Sequence, residues 1–345
     1  METRKVQLTG SSTFTISLPK GWAVEQGIEP GQRLELRPSG NGALIVGADQ
    51  VTPDGRTTVD LGRFEDVSPE DVTRVLRAFY TLGCAEFEVH VGVGDGTEEG
   101  APEPDGLDPA LRRAVRTATD RLAGLEVAVE ADGRFVCRDL LATEELSTDR
   151  LLSKLQFAAL SMHRDATAAL RTGDGALVRG MDDRHRDVRA ELAAVERRFR
   201  RTLLDFEESG RLEGFDHVVV ADRLDQVAAE ADRLAGLVDG LGEGDELEAP
   251  VGCAAFHDAS TGVHDLLEDG VDAVLSGASL DEAREVRERA EACRIAVDEL
   301  ADAGVPPRAI AALRRSADAG RDVADRAVKT SLHSPRVEPR VEAGD

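Results

Sequence analysis

The sequence predicts an α+β chain that is mainly helical, with a β-rich N-terminal module, a mixed middle segment and a C-terminal array of six helices. Three observations carry that reading. Residues 1–47 fall into short alternating runs broken by Thr-Gly, Pro-Gly and Asn-Gly turns. From about residue 147 to about 332 the apolar positions keep helical spacing, and Gly-rich breaks cut the run into pieces. Hydrophobic residues make up 41% of the chain but aromatics only 3%. A core of Leu, Val and Ala suits packed helices better than a β-sandwich.

The elements follow in order. Val6-Gln7-Leu8 leads into the turn Thr9-Gly10-Ser11-Ser12, and residues 14–18 (Phe-Thr-Ile-Ser-Leu) alternate with period two, which gives a hairpin. Pro19 and Lys20 open a short helix over 21–26. Pro30-Gly31 turns the chain, 33–37 alternates again, Asn41-Gly42 marks a second hairpin and 43–46 closes it. In the middle segment, 57–61 reads as a strand. Ser68-Pro69-Glu70-Asp71 then starts a helix, with Ser68 as cap, Pro69 at its first position and acids in its first turn. That helix runs to about Leu82 and stops at Gly83. Residues 87–91 alternate as a strand, 92–105 reads as an exposed loop, and a second helix spans about 108–122. Strands over 125–130 and 134–138, joined by Asp132-Gly133, complete a β-α-β-α-β-β order.

Beyond Ser147, breaks near 172–175, 209–210, 240–244, 276–277 and 304–307 delimit six segments. They read as two three-helix bundles in series. Two rhymes suggest that the halves are a repeat: residues 168–173 against 273–277, each before a break, and 224–228 against 313–317. The domain plan is therefore 1–50, 51–145 and 146–332, with 333–345 as a disordered tail.

Acidic residues outnumber basic ones by 67 to 42, a formal net charge of −25. Lys5, Lys20, Lys154 and Lys329 are the only lysines, and the acids are spread along the helices. Such an excess repels itself unless salt screens it, which points to a salt-rich cytoplasm such as that of a halophilic archaeon. No run of about 18 apolar residues predicts a membrane span. No apolar stretch follows the first charges as in a secretory signal, so the expected location is cytoplasmic. Cys84, Cys137, Cys253 and Cys293 form no CxxC pair and read as small buried hydrophobes. Gly92-Val93-Gly94-Asp95-Gly96 leads into no phosphate-binding loop, and no nucleophile elbow is present, so no enzyme is expected. His257 and His264, seven apart, read as surface or half-buried helix residues, because no Cys or further His completes a ligand set. Trp22 and Tyr80 read as core.

Residues 4–10 (Arg-Lys-Val-Gln-Leu-Thr-Gly), 13–20 ending in Ser-Leu-Pro-Lys, and Gly27-Ile28-Glu29-Pro30-Gly31 before Leu34-Glu35-Leu36 resemble a SpoVT/AbrB-type swapped-hairpin domain. The resemblance implies an interlocked homodimer that binds DNA through the outer face of its hairpins. Charge supports this independently: residues 1–50 are neutral overall, so 51–345 carry the whole excess. Arg4 and Lys5, the hydroxyls of Thr9, Ser11, Ser12 and Thr13, and Lys20 are the candidate phosphate contacts.

Residues 150–332 resemble the PhoU family of phosphate-uptake regulators. The resemblance implies facing carboxylate pairs that hold a divalent or iron ion. Asp183, Asp187 and Glu191 have the i,i+4 spacing for one helix face. Asp225 stands where the next helix's first carboxylate belongs, but Ala229 replaces the second; in the other half Arg314 replaces the first and Asp318 keeps the second. Glu288 and Glu291 lack paired acids after them. The combined resemblance implies a DNA-binding regulator of phosphate uptake, with a phosphate ABC transporter or a signalling protein as partner. The alternative is a PhoU-like adaptor that restrains such a transporter by protein contact without binding DNA.

Overall fold

The computed structural model describes residues 3–10, 13–38, 44–47, 57–64, 66–91, 108–131, 133–140, 147–204, 211–239 and 251–333. Ser11, Ser12, the loop expected over 92–105 and the tail beyond 333 lie outside the described residues. The fold is α+β and mainly α, in two compact units: one within residues 1–55 and the other over most of 56–345.

The first unit contains two antiparallel hairpins and a short helix. Strands β1 (Gln7–Thr9) and β2 (Thr13–Thr15) pair with Leu8 opposite Phe14, and Gly10 adopts the left-handed conformation that their turn requires. Helix α1 (Lys20–Glu25) follows Pro19, and β3 (Glu35–Pro38) pairs with β4 (Leu44–Gly47), Leu36 opposite Val46. Among the described residues of this unit none is buried.

The second unit begins with a four-stranded sheet in the order β5-β6-β8-β7. Strand β5 (Thr57–Asp60) lies parallel to β6 (Glu86–His90), which pairs antiparallel with β8 (Arg134–Asp139) and through it with β7 (Leu125–Ala131). Helix α2 (Pro69–Thr81) starts as expected. Ser68 Oγ accepts from the Asp71 N–H while the Asp71 carboxylate accepts from the Ser68 N–H, a reciprocal cap. Asp108 caps α3 (Pro109–Arg121) in a similar position before proline. Val72, Leu76 and Tyr80 of α2 and Leu111 and Val115 of α3 cluster with Phe87, Val89, Phe135 and Cys137 of the sheet.

Among the described residues six α-helices follow: α4 (Thr148–Thr172), α5 (Met181–Leu204), α6 (Arg211–Asp239), α7 (Ala254–Ser276), α8 (Leu280–Glu299) and α9 (Pro307–His333). Helices α4–α6 pack as one three-helix set and α7–α9 as another. The sets lie against each other, α4 on α7 and α6 on α9. Equivalent helices of the two halves therefore meet. The repeat read from the sequence recurs in the termini, because α4 ends at Gly173 and α7 at Gly277, both left-handed caps.

Charge pairs lock the α6–α9 seam. Glu230, 1% exposed, receives a bidentate pair from Arg315 (2.6 and 2.6 Å) and a further contact from Arg233. Arg326 reaches Asp216 at 2.6 Å. Small residues set the α7–α9 distance. A Cβ on Gly320 of α9 would lie 2.9 Å from Leu266 Cδ2 and 3.1 Å from its Cγ.

The sheet segment and the helices share one continuous core. Arg197 of α5, 5% exposed, holds the junction: it donates to the Tyr80 carbonyl at 2.6 Å, pairs with Asp139 and lies 4.6 Å from the centre of the Tyr80 ring. Arg201 joins it on the same Asp139 oxygen at 2.6 Å. Tyr80 is core as expected. Trp22 is only half-buried.

Candidate functional site

The period-two alternation of a hairpin puts successive side chains on opposite faces, and the β1–β2 register assigns those faces. Leu8 and Phe14 stand opposite each other, flanked by Val6 and Ile16 on the same side. Gln7 and Thr15, and Thr9 and Thr13, occupy the other side, where Thr9 and Thr15 hydroxyls meet at 2.8 Å. Lys5 continues that polar face by spacing. Hydroxyls, an amide and a lysine along one face of a ribbon are the chemistry that contacts phosphate oxygens.

The apolar face is uncovered. Val6 is 62% exposed, Leu8 62%, Phe14 76% and Ile16 50%, and Leu36 and Leu44 of the second hairpin are also exposed. A two-stranded hairpin is marginal by itself in water. Covering these four side chains is worth on the order of 5 kcal/mol per protomer. Arg4, Lys5, Thr9, Thr13 and Lys20, the expected phosphate contacts that lie within the described residues, are all exposed.

The carboxylates expected to hold a metal are not brought together. Asp183 accepts from Arg121 at 3.1 Å and from Arg186 at 2.7 Å, and these hydrogen bonds hold its carboxyl below the usual range. Asp187 also faces Arg121, at 3.5 Å; Glu191 pairs with Lys154 across to α4; Asp318 sits 3.4 Å from Arg321. Asp225 faces the buried His185 at 3.3 Å and Arg189 at 3.9 Å. Among the described residues no group of three His, Cys, Asp or Glu has metal-binding geometry. Each of them is instead paired with an arginine, a lysine or a histidine. The physical reason is that i,i+4 carboxylates recur on the faces of so acidic a chain, and arginines neutralise them. Arg121, which holds two of them, comes from the sheet segment, 62 residues away from Asp183 in sequence.

The two histidines read as surface or half-buried residues have different fates. His257 is exposed, but His264 is buried and lies across a cleft from a third, His163 of α4, which is fully buried. Sequence spacing missed this cluster because His163 and His264 stand on different helices.

Residues 7–55 match a family described as antidote-toxin recognition MazE, bacterial antitoxin. The N-terminal unit is thus a MazE/AbrB-like domain, as the SpoVT/AbrB resemblance led one to expect. Among curated proteins no match to the chain was found. Among the described residues no helix is long and apolar enough to cross a membrane.

Proposed function

We propose that this chain is a DNA-binding transcriptional regulator of phosphate uptake. Two copies of the N-terminal module join through their apolar hairpin faces, and the polar faces of the dimer contact DNA. The helical body carries the signal, through a phosphate transporter or a signalling protein. The observation that supports the reading best is the two-faced hairpin, with Val6, Leu8, Phe14 and Ile16 uncovered on one side and Lys5, Gln7, Thr9 and Thr13 on the other. The phosphate-uptake part rests on the PhoU resemblance of residues 150–332.

The reading is tested by fluorescence anisotropy of the purified chain, in high KCl, with promoter fragments of its own phosphate-transport genes and an unrelated fragment. The promoter fragment is expected to bind more tightly, and Arg4→Glu with Lys5→Glu to abolish that binding. Dimerisation doubles the contacts of Arg4, Lys5 and Lys20, so the log–log dependence of affinity on salt should have a slope of about −5. Equal binding to both fragments, or none, overturns the reading. In that case recovery of a membrane transporter on the immobilised chain would favour the adaptor.

A further inference from the structure

Helices α4 and α7 form an open-sided cavity of about 300 Å³, the size at which small-ligand sites begin. Helix α4 lines it with His163, Arg164 and Arg171, and α7 with His257, His264 and Asp265. Arg164 and Arg171 are two turns apart, as are His257 and His264, so each pair shares a helix face. In a chain of net charge −25 this wall is an exception, with two guanidiniums and three imidazoles against one carboxylate.

The hydrogen-bond inventory of the wall is donor-rich. Arg164 Nη2 lies 2.5 Å from His264 Nε2. A guanidinium only donates, so Nε2 accepts, and the neutral His264 ring carries its proton on Nδ1. That Nδ1 is buried and has no partner. Both ring nitrogens of His163 are also buried and unpartnered. Neither Arg164 nor Arg171 forms an ion pair with a described residue, whereas Arg184, Arg287 and Arg315 of the same body pair with Asp165, Asp325 and Glu230. Each buried polar group left unsatisfied costs about 1–3 kcal/mol. A ligand that accepts from the N–H of each ring would relieve part of that cost, although the second His163 nitrogen is an acceptor and is not served by it.

A metal cation does not suit the site, since the histidines do not form a ligand group and the arginines repel it. The uncapped N-terminus of α7, where Cys253 makes no side-chain cap, adds a positive dipole end within a turn of His257. We propose that the α4–α7 cavity binds a phosphate-class oxyanion, held by Arg164 and Arg171 and hydrogen-bonded by the histidine N–H groups. This inference rests on the cavity alone and is independent of DNA binding by the N-terminal module. A second cleft of about 330 Å³, lined by Phe157, Leu160, Glu268 and Asp272, shares Arg164 and His264 with the first. It offers room for an organic substituent, so the dianion is either free phosphate or the head of a phosphate monoester.

The test is isothermal titration calorimetry of the full chain in KCl near neutral pH, with inorganic phosphate in one arm and adenosine monophosphate in the other. Saturable single-site binding is expected in at least one arm. Tighter binding of phosphate identifies the free ion, and tighter binding of the nucleotide the monoester. Arg171→Gln, on an exposed last-turn position, and Arg164→Gln should each weaken binding roughly 10–100-fold. Arg186→Gln, outside this cavity, should leave it unchanged, and circular dichroism checks that every variant is folded. Absence of saturable binding in both arms up to about 10 mM, or affinity unchanged in both cavity variants, overturns the proposal.

Discussion

His163 makes the acid stability of the helical body predictable from one side chain. It is fully buried between α4 and α7, its ring nitrogens have no partner, and desolvation, with the opposing His264 adding to it, pushes its pKa down from 6.5 to about 4. The native state therefore binds fewer protons than the unfolded chain over that interval, and stability rises with pH there. The contribution is fully present above pH 6.5, the unfolded value, and is lost as pH falls toward 4. The shift corresponds to about 3 kcal/mol at 1.36 kcal/mol per unit. In His163→Leu this loss is removed, while the acid sensitivity of the many carboxylates is common to both proteins and cancels in their difference. Near neutral pH the substitution should be close to neutral or slightly stabilising, because it replaces unsatisfied nitrogens with apolar atoms. At about pH 4.5 the variant should have gained a further 2–3 kcal/mol over the parent, roughly. Urea unfolding in high KCl, followed by circular dichroism at several pH values, reads this difference directly. A stability difference that stays flat from about pH 8 to about pH 4.5 would refute the argument, because burial would then not be keeping the ring neutral.

Three other perturbations follow from the packing. Asp139→Ala removes the carboxylate that Arg197 and Arg201 share at the junction of sheet and helices and should cost about 3–5 kcal/mol in urea unfolding; a loss under about 1 kcal/mol would mean that the guanidiniums find other partners or water instead. Phe14→Lys places a charge on the apolar hairpin face of each protomer. It should weaken dimerisation by roughly a thousandfold, from about 2 kcal/mol per ring in two protomers, as read by light scattering across a dilution series with helical content unchanged. Gly320→Val forces Leu266 from its place between α7 and α9 and should lower stability by about 1–3 kcal/mol; an unaltered urea midpoint would show that the seam yields freely.

Much of the fold is local and was therefore legible. Ser68-Pro69 and Asp108-Pro109 are written as helix starts and act as such, and Gly173 and Gly277 end their helices where the breaks fall. Each strand of the sheet was anticipated, β6 by its alternation, although bounds moved by a residue at some ends. What sequence could not supply was which distant side chains meet. The spacing of Asp183 and Asp187 was visible, but Arg121, which neutralises them, lies in another element. His264 was visible, but His163 lies 101 residues earlier, and only the packing of equivalent helices brings the two to one cavity. Charge composition misled in the same way. A carboxylate pattern carries little information where acids are abundant, while a pair of arginines that form no ion pair with a described residue carries much.

The uncovered hairpin face separates two kinds of folding within one polypeptide. The sheet and six helices bury their own core and can form as soon as the chain is made. If two copies join through this face as proposed, a module with no buried residue among those described is completed by a bimolecular event, and its folding is second order in chain concentration. At low abundance the cell would hold finished bodies with unfinished heads, and the head-competent fraction would rise steeply as the dimer dissociation constant is approached. A threshold of this kind needs no effector. It makes the dose of the gene itself an input to whatever the module controls.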